Sequence, residues 1–286
     1  MNQLTAFSRF KNLLFIFSLL LFLFSVSSVS AQDQNNVNEK TPKTEKPKNQ
    51  KNSDKKQSAP VELSTAEQVA ESAIFIYGGL LGRQNLNQIR KTTFERGKIT
   101  ITEADGQKNT ANYDRFIIRG ESLDKEKIRL DQSFPNARFS LVYSNDKVFG
   151  IYNDSVFTPR EDAAKAFLSQ IWHSIESLLR YKENESKLEL AGREKIMGVD
   201  FYLLDLTDKK DRKTRFYVSV KTLRVMMLEY EMDKVKYRRR FYDYNYAQGT
   251  LVPYRSVLWA DDKEVEVTEI GTITFGQKVE ESLFQQ

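Results

Sequence analysis

Alternation is the feature that most constrains this chain. From residue 90 to residue 275, apolar and polar side chains exchange at every second position through segment after segment, with β-branched and aromatic residues enriched. That period sends neighbouring side chains to opposite faces of a strand. Segments of this kind lie near 90–104, 109–120, 124–132, 136–145 and 147–157. They resume near 186–194, 196–207, 212–221, 223–232, 235–247, 250–260 and 263–275. Short polar turns punctuate them, among them Asp105-Gly106, Asn145-Asp146, Asp208–Asp211, Gln248-Gly249 and Asp261-Asp262. Strands joined this tightly pair antiparallel with their neighbours. The predicted class is α+β, mainly β, with a sheet of about eleven to twelve strands; a twisted sheet of that width curls, and its concave face needs cover.

Two helices are available as that cover. Ser64-Thr65-Ala66-Glu67 reads as a capping box with Ser64 at the N-cap. Behind it Val69, Ala70, Ala73, Ile74, Tyr77, Leu80 and Leu81 recur on one face, and Gly78-Gly79 weakens the last turn, so that the helix ends near Gly82. The second helix is predicted over Thr158–Tyr181. Thr158 is its cap, Pro159 its first helical residue, and Glu161 completes a second box. Its buried stripe is Ala164, Phe167, Leu168, Ile171, Ile175, Leu178 and Leu179.

Ahead of the first helix stand two segments of different character. Arg9 and Lys11 precede an apolar run, Leu13–Phe24, and then Ser25–Ala31 supplies small residues. That order is a secretory signal peptide, with cleavage expected after Ala31. A membrane anchor needs about 20 apolar residues, more than the run provides. Residues 32–60 are rich in Gln, Asn, Lys, Pro and Ser and nearly devoid of large apolar side chains, so they read as a disordered charged linker. The folded domain is then 61–286. The net charge of +5 comes from the leader and linker: they hold nine of the 44 basic residues and four of the 39 acids, which leaves 35 of each sign in Val61–Gln286. The domain is neutral, and no nucleic-acid partner is expected of it.

The chain has no cysteine, so it has no disulfides, thiol nucleophile or thiolate metal site. Its one histidine, His173, stands alone and reads as a structural or surface residue. Tyr237–Tyr246 interleaves Arg238, Arg239 and Arg240 with aromatic residues. On a strand both faces of that segment are mixed, with rings packing and arginines snorkelling outward; the alternative is a contact with anionic lipid or with a protein. Glu264 and Glu266 alternate with Val265 and Val267, the pattern of a solvated sheet face. No cofactor, metal or catalytic constellation is expected, and the chain does not read as an enzyme.

The order of elements, with Met197–Leu206, Lys221-Thr222-Leu223-Arg224, Tyr242-Asp243-Tyr244 before Gly249 and Pro253, and the ending Glu281-Ser282-Leu283-Phe284, resembles the LolA/LolB-type outer-membrane lipoprotein carrier superfamily. The resemblance implies an unclosed antiparallel half-barrel over 61–286, with two or more helices covering its concave face. It also implies a periplasmic monomer that holds lipid or lipoprotein acyl chains and meets an envelope membrane protein. The alternative is a non-enzymatic envelope interaction or stress-sensing module on the same fold. Alternating apolar residues supply the candidate cavity lining: Phe201 and Leu203, Phe216 and Val218, Met226, and Trp259, with Leu228, Val257, Ile273 and Phe275 in the same pattern. An acyl chain of ten methylenes gains about 8 kcal/mol on burial before binding costs, an affinity of roughly micromolar order. N-terminal sequencing of the exported protein is expected to begin at Gln32; a full-length chain that resists carbonate extraction from membranes would identify Leu13–Phe24 as an anchor instead.

Overall fold

The computed structural model describes residues 62–135 and 137–286, so the expected signal peptide and linker lie outside the described residues. The described chain opens with helix α1 (Ala66–Gly78), a 3-10 turn at Gly79–Leu81 and a short helix α2 (Arg83–Ile89). A first meander follows: β1 (Thr92–Thr102), β2 (Lys108–Ile118), β3 (Lys127–Phe134), β4 (Ala137–Ser144), β5 (Lys147–Tyr152) and β6 (Ser155–Phe157). Helices α3 (Glu161–Trp172) and α4 (Ile175–Leu179) lead to the second. Its strands are β7 (Lys187–Ile196), β8 (Val199–Thr207), β9 (Lys213–Ser219), β10 (Val225–Met232), β11 (Val235–Ala247), β12 (Thr250–Ala260) and β13 (Lys263–Phe275).

All thirteen strands belong to one unclosed antiparallel sheet, ordered β6-β5-β4-β3-β2-β1-β13-β12-β11-β10-β9-β8-β7. The count exceeds the expected eleven to twelve because residues 147–157 form two strands. Asn153 and Asp154 both take left-handed φ, 47° and 60°, and make a two-residue hairpin between them. The same device closes the turns at Asn145-Asp146, Asp233-Lys234 and Asp261-Asp262, where both central residues have positive φ. Such turns match the right-handed twist of the strands they join.

The helices differ from expectation at their ends. Thr65, not Ser64, caps α1: its hydroxyl accepts from Gln68 N at 3.1 Å, and Gln68 Oε1 accepts from Thr65 N at 3.2 Å. The α-helix ends at Gly78, before the expected Gly82, and the chain re-enters helix after Gly82 as α2. The second predicted helix starts two residues late, with Arg160 as an N-cap that makes no side-chain capping bond. It also breaks at His173 and Ser174, where ψ becomes 64° and 166°. Tertiary contacts account for the break. His173 Nδ1 meets Thr214 Oγ1 at 2.7 Å and its ring stacks on Tyr230 at 3.9 Å.

One face of the sheet carries the helices, and two clusters fill it. Under α1 and α4 lie Tyr202, Leu204, Phe216, Val218, Leu228 and Phe241 of β8–β11, with Leu251 of β12. Under α3 lie Ile99, Tyr113, Ile128, Leu130, Leu141 and Tyr143 of β1–β4. The outer face is covered in part by the C-terminal segment, where Phe284 packs with Val142 and Phe149.

Among the described residues the strands of the two meanders pair only along β1 and β13, from Thr93↔Phe275 to Ile101↔Glu266. Gly271 is the extra residue of a bulge in this seam, between Arg96↔Thr272 and Gly97↔Ile270. Gly97 is required there: a Cβ on it would stand 2.1 Å from Glu269 O and 3.0 Å from the Tyr113 ring. Gly97→Ala is expected to cost about 3 kcal/mol through backbone displacement at the seam, read as a lower urea midpoint in a cooperative unfolding curve.

Candidate ligand cavity and its ionic lining

Between the two inner-face clusters lies a cavity of about 240 Å³. Tyr77, Ile175, Phe241 and Leu251 wall it from the α1 side, and Leu123, Ile128, Phe167 and Ile171 from the α3 side. The seam supplies Thr93 and Glu95 from β1 and Thr268, Ile270, Ile273 and Phe275 from β13. Beyond the Gly271 bulge the inward positions shift from even to odd numbers, which brings Ile273 and Phe275 to the cavity after Thr268 and Ile270.

The wall is not uniformly apolar. One ionic group sits where α2, α4 and the β2–β3 connection converge. Glu176 of α4 takes Arg90 on one carboxylate oxygen and Arg119 on the other, the latter at 2.6 Å. Arg90 also donates to Leu251 O at 2.9 Å and lies over the Phe275 ring at 5.1 Å. Beside this group Arg180 pairs with Glu126, both almost fully buried, and donates to Gly120 O at 2.7 Å. The helix break at His173-Ser174 sets off the short helix that carries Glu176, with Arg180 as its C-cap.

A second network crosses the seam. Tyr113 OH and Arg115 both donate to Glu95 Oε1, at 2.6 and 3.2 Å. Arg115 reaches Gln170 of α3 at 3.1 Å, and Gln170 donates in turn to Glu266 Oε2 at 3.3 Å. Glu266 Oε1 accepts from Arg239 at 2.8 Å and from Thr268 at 3.1 Å. Arg239 closes the chain on Ser256 Oγ at 3.1 Å. Six elements, β2, β1, α3, β13, β11 and β12, are thereby tied through one line of polar contacts.

Burial and charge compete in these groups, and the outcomes differ. Burial raises the Glu126 carboxyl to about 7 even though Arg180 and Arg119 pull it down. Burial also opposes ionisation of Glu176, but Arg119, Arg90 and Arg180 outweigh it and bring that carboxyl to about 2. Glu266 behaves similarly: burial is overcome by Arg239, and its carboxyl lies below the ordinary range. Burial, helped by Arg212, pushes His173 down to about 4, so the ring is neutral and serves packing.

Of the alternating apolar residues expected to line the cavity, Ile273 and Phe275 lie on its wall, whereas Phe201, Leu203, Phe216, Val218, Met226 and Trp259 do not. Phe216 and Val218 are on the inner face, fully buried in the α1 cluster. Phe201 and Leu203 point to the outer face, where they pack with Tyr217 and Met227 while half-buried Met226 packs against them. Tyr202 and Leu204 take the inward positions of β8 instead. The run Phe201–Leu204 is apolar on both faces, so its phase cannot be read from periodicity. Met226 is the extra residue where Val225↔Val218 gives way to Met227↔Tyr217. Trp259 is on the outer face too, with Arg240 over its ring at 5.5 Å. Arg239 points inward rather than outward, and Glu266 is buried and paired rather than solvated. Asp243 takes φ 53°, and next to it the Tyr244 hydroxyl meets that of Tyr77 at 3.1 Å.

No protein-family model matches the chain, and no curated protein matches its sequence significantly. Solved structures do. A DUF1329 family protein from Desulfovibrio piger is similar over 77% of this chain and 97% of its own, at 13% identity and a TM-score of 0.57. A LolA superfamily protein from Nitrosomonas europaea is similar over 78% of this chain and 99% of its own, at 14% identity and a TM-score of 0.54. The fold is LolA/LolB-like. An outer membrane lipoprotein-sorting protein domain from Vibrio parahaemolyticus also shares it, over 75% of this chain and 97% of its own, at 14% identity and a TM-score of 0.52. Within this LolA-like frame the cavity occupies the helix-covered face of the half-barrel.

Glu126 gives the site a pH signature. Its folded value near 7 lies above the ordinary 4.5, so between those values the folded chain holds a proton that the unfolded chain has lost. The associated stability is complete below about pH 4.5 and is lost as the pH rises through 7. Glu126→Gln removes this dependence while keeping an acceptor for Arg180. Its melting temperature is expected to rise relative to the wild type as the pH goes from 5 to 8, as checked by calorimetry across that range.

Proposed function

We propose that this protein is an exported, periplasmic carrier that holds an acyl chain of a lipid or lipoprotein in the cavity of its LolA-like half-barrel. The observation that carries this reading is the cavity itself, an unfilled space between two packed clusters on the one face that helices cover. A chain threaded there meets Ile117, Ile128, Ile171, Phe241, Ile270 and Ile273, so the gain from burying methylenes is available without unfolding either cluster. Similarity to a lipoprotein-sorting protein domain supports the same class of cargo. The reaction is binding and release; the chain acts as a monomer, needs no cofactor, and delivers to or receives from an envelope membrane protein.

The test uses an environment-sensitive acyl probe with an uncharged head. Saturable binding on the order of tens of micromolar is expected. Ile273→Asp should weaken it by about tenfold or more, because an unpaired charge in the wall is costly. Leu203→Ala, on the outer face, should leave it within about threefold of the wild type. Absence of saturable binding would overturn the carrier reading in favour of an envelope interaction or stress-sensing module. Equal loss in both variants would move the site away from this cavity.

A further inference from the structure

The cavity holds more positive charge than negative. Arg90, Arg115, Arg119 and Arg239 stand on its wall with Glu95, Glu126 and Glu176. Their direct partners behind the wall are Arg180 and Glu266. Five guanidinium groups therefore face four carboxyl groups. Neighbouring charges do not correct the imbalance: Arg83 and Lys182 pair with Glu71, and Arg83 also with Glu183, which leaves that group neutral. The donors are also incompletely used. Arg90 Nε is buried and has no hydrogen-bond partner, on a residue only 8% exposed. Arg239 is 9% exposed and donates through Nη1 alone among the described residues. An uncompensated charge in a buried site is unfavourable, and an anion that enters relieves it.

We infer that the cavity selects an amphiphile with an anionic head, whose carboxylate or phosphate meets Arg239 while its single chain lies along the isoleucine wall toward Arg90. The inference rests on the acyl-binding reading above and adds the charge of the cargo to it. Burial works in the same direction by holding Glu126 near 7, which lightens the negative side further at neutral pH. The volume of about 240 Å³ is below the roughly 300–1,000 Å³ of pockets that enclose drug-sized ligands, so a single chain fits better than a diacyl lipid.

Four ten-carbon probes at sub-micellar concentration test this by calorimetric titration: decanoate, decyl phosphate, decanol and decylamine. At least one anion is expected to bind about tenfold tighter than decanol or better, the effect of a charge-assisted hydrogen bond, with decylamine weakest. Decanoate ahead of decyl phosphate assigns a fatty-acid head, and the reverse order assigns a phosphate head; either order supports the inference. Arg239→Gln should bring the anion-to-decanol affinity ratio toward one. Equal binding of decanol and both anions by the wild type overturns the charge preference and leaves the acyl-binding reading standing. Failure of all four to bind overturns the acyl-binding reading and the inference together. The wild-type comparison decides the question even where the variant does not fold.

Discussion

Everything in this molecule hangs on the pairing of β1 with β13. Each meander builds itself from near neighbours, but only this seam makes them one sheet. Once it forms, β6 and β7 are at opposite edges, and the segment between them must cross the full width of the sheet. It crosses on the inner face, as α3 and α4. The covering helices are thus a consequence of topology as much as of their own amphipathic pattern. The seam also sets the height of the cavity, since Glu95, Glu266 and Thr268 rise from its two strands.

The ionic lining is expensive in a domain that has no disulfide to support it. Replacing buried ion pairs by well-packed apolar side chains is often neutral or stabilising, so stability does not explain five arginines in the interior. Their arrangement does other work. Glu176 fixes α4 against α2 and the end of β2, and Gln170 fixes α3 across the seam. Each helix is held to the sheet by polar contacts of defined geometry, while the greasy surface between them stays partly unfilled. Rigid attachment and an open space are hard to obtain together from apolar packing alone, because apolar side chains close the voids they surround.

Much of the sheet was legible from residues. β11, β12 and β13 have the ends that alternation and polar turns predict, and most other strands differ by two or three residues. The two-residue turns carry their own signal in Asn and Asp, types that tolerate left-handed φ. Legibility failed where both faces of a strand are covered. Phe201, Tyr202, Leu203 and Leu204 are all buried, so alternation held no information about phase. It failed again at the helix break, which His173 makes through Thr214 and Tyr230, partners remote in sequence. The site escapes the pattern for a third reason: Glu95, Arg115, Arg239 and Glu266 look like ordinary exposed strand residues. One signal was present. Glu95 shares its face with Gly97 and Ile99, and Arg115 with Tyr113 and Ile117, so charges occupy positions that the pattern assigns to the core. Their opposite signs, on strands joined by one turn, were the mark of a buried pair.

An unclosed sheet ends in two strands with unpaired backbone groups, an invitation to add further strands from other copies. The two ends here discourage that by different means. At one side β6 has only three residues, too few to template a long partner. At the other β7 is ten residues long but carries Lys187, Glu189, Arg193, Glu194 and Lys195, and a bulge at Leu190–Gly192 spoils its register. A second copy docking along β7 would have to desolvate these charged side chains and would find a kinked edge. The half-barrel can therefore remain open without polymerising through its own rims.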